Sequence, residues 1–349
     1  MSPTAHRRRT SRPIALVAAL IAITLLACGC GSSDGSSSSA TSSSGKVDLS
    51  RVTLRVGDQK GTSAEAMLKA AGLDHTPYKI KWSQFTSGPP MLEALQAGSI
   101  DVGMVGNTPP IFAAASNSSF KVVAATSYTG KGDAIIVPKG SPITSVRQLK
   151  GKKVAVAPGS SANYNLLGQL AKVGLSLSDI QVAELQPADA LAAFTNGSVD
   201  AWATWEPYTS QAEVEDGAKD LVDGSNGVMN GLNFQVASDK ALDDAATKAA
   251  LSDYLTRIQK AQIWSGKPAN RQAWSKIWSQ GTGLPVAVSS HATAIRPVTA
   301  VPIDASVIAS EQKMADAFYS AKAIPEKVKL DDYFTDEFNS VSTGNAVGK

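Results

Sequence analysis

Cysteine occurs only twice in the 349 residues, at Cys28 and Cys30. Everything beyond residue 30 lacks a thiol, which excludes disulfides, thiol nucleophiles and cysteine-ligated metal from that part of the chain. Histidine is almost as scarce. His6, His75 and His291 are each remote from any metal-like run of ligands, so the sequence offers no metal site, and no cofactor is expected. Aromatic residues make up 6% and charged residues 18%, against 43% hydrophobic, an ordinary globular composition with room for one large or two medium domains.

The one conspicuous apolar run, Ile14 to Ala27, has 14 residues and is short for a membrane span. His6, Arg7, Arg8, Arg9 and Arg12 precede it, and basic then apolar is the order of an export signal. The run closes on Leu25-Leu26-Ala27-Cys28, and Gly29 to Gly45 is almost entirely Gly and Ser. That order resembles a bacterial lipoprotein signal. Residues 1–27 are then expected to be removed, Cys28 to be lipidated and residues 28–50 to form a tether. Cys30 is the weaker acceptor, since Ala27 rather than a branched apolar residue stands three positions before it. An uncleaved anchor and a plain secretory peptide are the alternatives, while the apolar residues that should follow a twin-arginine pair are missing after Arg7-Arg8-Arg9. Four of the 33 basic residues and none of the 30 acidic ones lie in residues 1–27, so the remainder carries 29 basic against 30 acidic residues, with no basic patch for nucleic acid.

From Val52 the pattern is α/β. Val52 to Val56 alternates like a strand, glycines follow at 57 and 61, and Ser63 to Ala71 reads as a helix stopped by Gly72. Tyr78 to Phe85 is a second strand, Gly88-Pro-Pro90 a helix start, Met91 to Ala97 a helix ended by Gly98, and Asp101 to Val105 a short buried strand. The rhythm repeats after Pro138, with strands at Lys153–Ala157, Ile180–Leu185 and Val199–Thr204 and helices at Ser160–Val173 and Pro187–Asn196. Two such units, joined near Ile135 to Gly140, predict two lobes with a cleft between them, residues 51–137 plus 235–349 in one and 138–234 in the other. From Asp239 the chain reads as helical.

In open α/β sheets ligands bind beyond the carboxyl ends of the strands. Four segments fall there: Gly57 to Gly61, Gly106 to Pro110, Pro158 to Tyr164 and Thr204 to Pro207. Their Gly, Ser and Asn residues offer amide and hydroxyl donors near helix N-termini, which suits an anion held without a counter-charge. Each has a plainer reading beside this one: Gly57 to Gly61 as a tight turn, Ser160-Ser161 as an N-cap. Trp202 reads as core, and Trp205, beside Glu206-Pro207, as cleft wall.

The stretches Gln59-Lys-Gly61, Gly88-Pro-Pro-Met-Leu-Glu-Ala-Leu95, Gly98-Ser-Ile-Asp-Val-Gly103, Gly106-Asn-Thr-Pro-Pro-Ile-Phe112, Gly159-Ser-Ser161 and Val199-Asp-Ala-Trp-Ala-Thr-Trp-Glu-Pro-Tyr208 resemble the periplasmic aliphatic-sulfonate-binding proteins, from about Val52 to about Phe334. The resemblance implies a two-lobed periplasmic-binding-protein fold of type II and a monomeric, lipid-anchored component of an ABC importer outside the cytoplasmic membrane, with permease and ATPase as partners. It implies no enzymatic activity; the enzymes of similar fold, such as the fungal pyrimidine synthase, rely on a cysteine-rich motif. It also implies a cleft lined by Gln59, Lys60, Asn107, Thr108, Ser160, Ser161, Asn163, Trp205 and Glu206, with Gln59, Ser160 and Ser161 as head-group donors and Trp205 against the alkyl tail. Arg296 reads equally as an anion clamp and as a pin between the lobes. Relatives commonly carry Asp where this chain has Asn107, and Trp-Asp-Pro where it has Trp205-Glu206-Pro207, departures that bear on the preferred tail. Taurine, nitrate and aromatic sulfonates or carboxylates are the other anions such a scaffold takes, and a sensory lipoprotein is the non-transport alternative.

Overall fold

A computed structural model describes residues 47–295 and 298–343. Two sheets organise them. In the first, the order is β11 (Thr299–Val301), β4 (Lys121–Ser127), β10 (Leu232–Ala237), β3 (Val102–Gly106), β1 (Thr53–Gln59), β2 (Lys79–Phe85); in the second, β7 (Gln181–Glu184), β6 (Lys153–Val156), β8 (Ala201–Trp205), β5 (Asp133–Val137), β9 (Lys219–Asp223). Each sheet has a parallel βαβ core, with β1 between β2 and β3 and β6 between β7 and β8. Each also has a strand laid antiparallel across that core by a return crossing of the chain, β10 on β3 and β5 on β8.

Helices α1 (Ala64–Ala70), α2 (Gly88–Gln96) and α3 (Thr108–Ala115) serve the first sheet; α4 (Ser161–Lys172), α5 (Pro187–Thr195) and α6 (Tyr208–Asp216) serve the second. The C-terminal part adds α7 (Asp239–Asp243), α8 (Ala245–Gly266), α9 (Arg271–Thr282), α10 (Val286–Ile295) and α11 (Ala305–Ser320). The helical stretch expected from Asp239 divides at Asp244, whose carboxylate accepts from Thr247 N at 2.8 Å and so starts α8 anew. β11 interrupts the same region as an edge strand on β4.

The chain passes between the sheets at residues 128–132 and 224–231, and the passages are joined by a hydrogen bond from Tyr128 N to Gly231 O at 2.7 Å. Gly231 has a φ of +68°, and a Cβ there would lie 2.2 Å from Tyr128 O, so only glycine lets the two passages touch. The expected lobe boundaries shift accordingly. Asp133–Val137, placed by its sequence at the end of the first lobe, pairs with β8 and β9 in the second sheet, and Leu232–Asn233–Phe234 pairs in the first. Both are uniformly buried strands, and only their partners in space assign them to a sheet.

One apolar core fills the second lobe around Trp202, which is 1% exposed and packed by Phe194 and Tyr208. In the first lobe, α2, α3 and α11 cover one face of the sheet around Phe234 and Phe318, and α1, α8 and α9 cover the other around Leu54 and Tyr254.

Candidate functional site

The carboxyl ends of β1, β3 and β8 and the N-terminus of α4 converge on one cleft of about 400 Å³. Gln59, Thr62, Gly106 and Asn233 line it from the first lobe; Ser160, Ser161 and Trp205 line it from the second. Among the described residues, no charged side chain is in its lining. An anion here would meet neutral donors and the positive end of α4, a 12-residue helix whose first turn forms one wall.

Local chemistry fixes each wall. Asp58 is 1% exposed, and its Oδ1 accepts from Gln59 N, Thr62 Oγ1 and Ala64 N, so it both shapes the Gln59–Thr62 turn and caps α1. Burial pushes its carboxyl up, and those hydrogen bonds oppose the rise. Gln59 Nε2 donates to Met104 O at 2.8 Å, which aims the amide across β3. Ser160 is the N-cap of α4, accepting from Asn163 N at 3.3 Å and donating to Ala157 O at 2.6 Å, while Asn163 Oδ1 accepts from Gly159 N at 3.1 Å. Ser161 Oγ donates to Asp133 Oδ1 at 2.6 Å, and Tyr128 OH donates to Asp133 Oδ2. The α4 terminus is thereby tied to the passage between the lobes.

The lobes stand close. A Cβ on Gly61 would lie 2.7 Å from Glu206 O and 3.3 Å from Trp205 Nε1, and one on Gly106 would lie 3.2 Å from Ser161 Cβ. Ser87 Oγ donates to Gln186 Oε1 at 2.9 Å, and Lys60 Nζ sits 5.3 Å from the centre of the Tyr208 ring. Burial lowers the Lys60 pKa, against the pull of Glu215.

Of the site residues read from the sequence, Gln59, Ser160, Ser161 and Trp205 come together in the lining. Lys60 is spent on Tyr208 beside the cleft. Asn107 and Thr108 are fully buried behind Gly106, where Thr108 Oγ1 donates to Asn107 Oδ1 at 3.0 Å and Asn107 Nδ2 donates to Asn230 Oδ1 at 2.8 Å. Asn163 supports the turn before α4, and Glu206, 1% exposed, presents its carbonyl to Gly61 and accepts from Ser210 N at 3.4 Å. Arg296 and Cys28 lie outside the described residues, as do the signal segment and most of the tether.

Sequence reading missed Asp58, Asn230 and Asn233. Asn233 carried a signal: with Gln235 it is a polar residue at period-two spacing in an otherwise apolar strand.

Next to the cleft, sharing Gly61, Thr62 and Asn233 with it, is a second space of about 650 Å³ among α1, α8, α9 and α10. Met67, Met104, Ile258 and Ala292 line it with Trp274 and Trp278, whose rings stack at 5.3 Å and 6°. Trp278 Nε1 donates to Lys60 O at 3.0 Å and fixes this wall to the Gln59–Thr62 turn. The pair of spaces sets neutral hydrogen-bonding groups beside a largely apolar lining, an arrangement complementary to a small anionic head with an apolar tail. Among the described residues, no group of three or more His, Cys, Asp or Glu could hold a metal ion, and no helix is long and apolar enough to cross a membrane.

Residues 52–279 match the NMT1-like family. An Escherichia coli (strain K12) protein named for aliphatic-sulfonates binding is 37% identical over 294 residues, covering 81% of this chain and 89% of its own. The alkanesulfonate-binding protein SsuA from Xanthomonas axonopodis pv. citri, solved bound to MOPS, superposes with a TM-score of 0.75 at 35% identity over 81% of this chain and 98% of that one. The periplasmic aliphatic sulphonate binding protein SsuA from Escherichia coli gives 0.70 at 36% identity, over 80% and 91%.

Proposed function

The chain belongs to the NMT1-like family, and from that membership and the cleft together we propose that it is the substrate-binding component of an ABC importer, capturing aliphatic sulfonates outside the cytoplasmic membrane. The observation that carries the reading is a cleft between two lobes whose described lining holds amide and hydroxyl groups and a helix N-terminus, beside a largely apolar space. A sulfonate remains ionised throughout the physiological range, so amide and hydroxyl donors and the end of a helix can hold it with no proton exchange. Gln59 from one lobe and Ser160 and Ser161 from the other are the proposed head-group donors, the two serine hydroxyls turning from Ala157 O and Asp133 to the ligand when it binds. Trp205, at the end of β8, is the proposed wall for the start of the tail.

The proposed action is capture without chemistry. Hinge motion at residues 128–132 and 224–231 opens the cleft, ligand bridging Gln59 and Ser161 favours the closed form, and that form docks on a permease driven by an ATPase. The chain is proposed to act as a monomer.

Thermal titration of the full-length chain checks the ligand class. A ligand that binds only the folded state adds about 2.7 kcal/mol of stability at a hundredfold excess over Kd. Ethanesulfonate and butanesulfonate are expected to raise Tm, and nitrate, sulfate and benzoate to leave it unchanged; a shift with any of the latter three and none with a sulfonate would overturn the substrate class while leaving a binding protein.

Anchoring by a lipid on Cys28 is also proposed, on the order of the basic, apolar and Gly/Ser segments around it. Cys28→Ser is expected to move the chain from the membrane fraction to the soluble fraction of an exporting cell. Unchanged membrane association would sink the idea.

A further inference from the structure

Behind the apolar space lies a third, smaller chamber between the first sheet and α8, about 260 Å³ in all and with room for roughly one water-sized group. It shares Met104, Ile258 and Gln262 with the apolar space, and Asn233 lines all three spaces, so head cleft, apolar space and chamber are neighbours. Among the described residues its lining has no charged side chain and is unusually polar for a core position. Thr126 Oγ1, both amide atoms of Gln235, both of Gln259 and Ser342 Oγ are buried without a hydrogen-bond partner, on side chains from β4, β10, α8 and the C-terminal segment. The register of β10 against β4 slips between Gln235 and Val236, an irregularity that re-aims side chains, and Asn233, Phe234 and Gln235 all line the chamber.

A core normally pairs such groups, and four different elements presenting unpaired donors and acceptors to one water-sized space beside an apolar one is the pattern of a recognition pocket. Two glutamine amides offer both a donor and an acceptor, which matches a hydroxyl; among the described residues no carboxylate lines the chamber to match an ammonium.

We propose that the preferred ligand is a sulfonate whose tail ends in a hydroxyl-sized, uncharged hydrogen-bonding group, seated in the chamber formed by Thr126, Gln235, Gln259 and Ser342. This rests on the sulfonate reading above and specifies the tail. A site built to bond a ligand hydroxyl rejects the analogue lacking it, because its own polar groups then stay unpaired.

The test is calorimetric titration of the full-length chain with two matched series, n-alkanesulfonates and their ω-hydroxy analogues from two to eight carbons, with methanesulfonate as the head-group probe. The ω-hydroxy compound is expected to bind about tenfold or more tighter than its plain analogue at one chain length and not at the shortest ones. In Gln259→Leu that ratio is expected to fall to about one, with Gln235→Leu as the second variant should the first fail to fold. Equal affinities in the two series at every length would show that the chamber takes water only and would overturn the proposal, as would an advantage that survives both substitutions. Methanesulfonate binding separates the two levels: if it binds and the hydroxyl gives nothing, only the tail assignment falls; if no sulfonate binds at all, the parent reading falls with it.

Discussion

Gly61→Val is expected to weaken sulfonate binding by about 100-fold, roughly 2.7 kcal/mol, while the unliganded protein keeps its melting temperature. Gly61 lies in the turn between β1 and α1, and its backbone is not in the left-handed region, so a side chain imposes no strain on the turn itself. The obstruction lies across the cleft, where the Glu206 carbonyl is 2.7 Å and Trp205 Nε1 3.3 Å from the Cβ position. Backbone at that distance cannot yield as a flexible side-chain end would, and the branched methyls of Val extend further, so the lobes must part. Once they do, a head group held by Gln59 loses Ser160 and Ser161, and hydrogen bonds to a charged group contribute about 1.5–3 kcal/mol each. Titration calorimetry on Gly61→Ala and Gly61→Val should give graded losses. Small-angle scattering should show the Val variant failing to compact on adding ligand. Wild-type affinity in Gly61→Val would mean that binding does not require the close approach of the lobes seen here.

Glu311→Gln is expected to raise Tm at pH 8 by roughly 5–10 °C and to change it little at pH 4.5. Glu311 is fully buried on α11, its Oε1 accepting from Asn230 Nδ2 and its Oε2 without a hydrogen-bond partner. Burial pushes its pKa up to about 8 from 4.5, with the Asn230 hydrogen bond opposing the rise. The unfolded chain releases this proton above about pH 4.5 and the folded chain holds it to about 8, so the folded state binds more protons over that window. Stability therefore falls as pH rises from about 4.5 to about 8, by roughly 4 kcal/mol, and levels off above. The glutamine keeps an acceptor for Asn230 and has no proton to lose. Glu213 and Asp220, lifted chiefly by burial to about 7 and about 6, act in the same direction and persist in the variant, so a shallower decline below pH 7 remains. Denaturation monitored from pH 4 to 9 decides the matter: parallel wild-type and variant curves would place the charged form of Glu311 in the fold. Asn230 also holds Asn107 and lies in the 224–231 passage, so the same residue couples this carboxyl to the connection between the lobes.

The βαβ order was legible because it is local. Val52 to Val56 alternates, glycines stop the helices, Ser160 caps α4 and Asp244 caps α8, and each of these signals acts within a few residues. The absence of cysteine beyond residue 30, the charge-poor strand-end loops and the motifs from Gln59 to Tyr208 likewise determined the fold class and the family by themselves. Gln59, Ser160, Ser161 and Trp205, read from strand ends, a helix's first turn and the family resemblance, come together in one cleft.

Long-range pairing was not available from sequence. Asp133–Val137 and Leu232–Ala237 are buried on both faces and show no alternation, so nothing local says which sheet either joins. Asn107 sits in a cleft motif yet turns inward, because Asn230, more than a hundred residues away, offers it a hydrogen bond. The apolar space and the chamber behind it are assembled from α1, β3, β4, β10, α8, α9 and α10, elements spread from Gly61 to Ser342. Local sequence therefore determined which elements form and which strand ends and helix starts could face a cleft, while the tertiary structure alone decided which of them meet and what lies beside that cleft, because a cavity is made by the surfaces of elements that become neighbours only on folding.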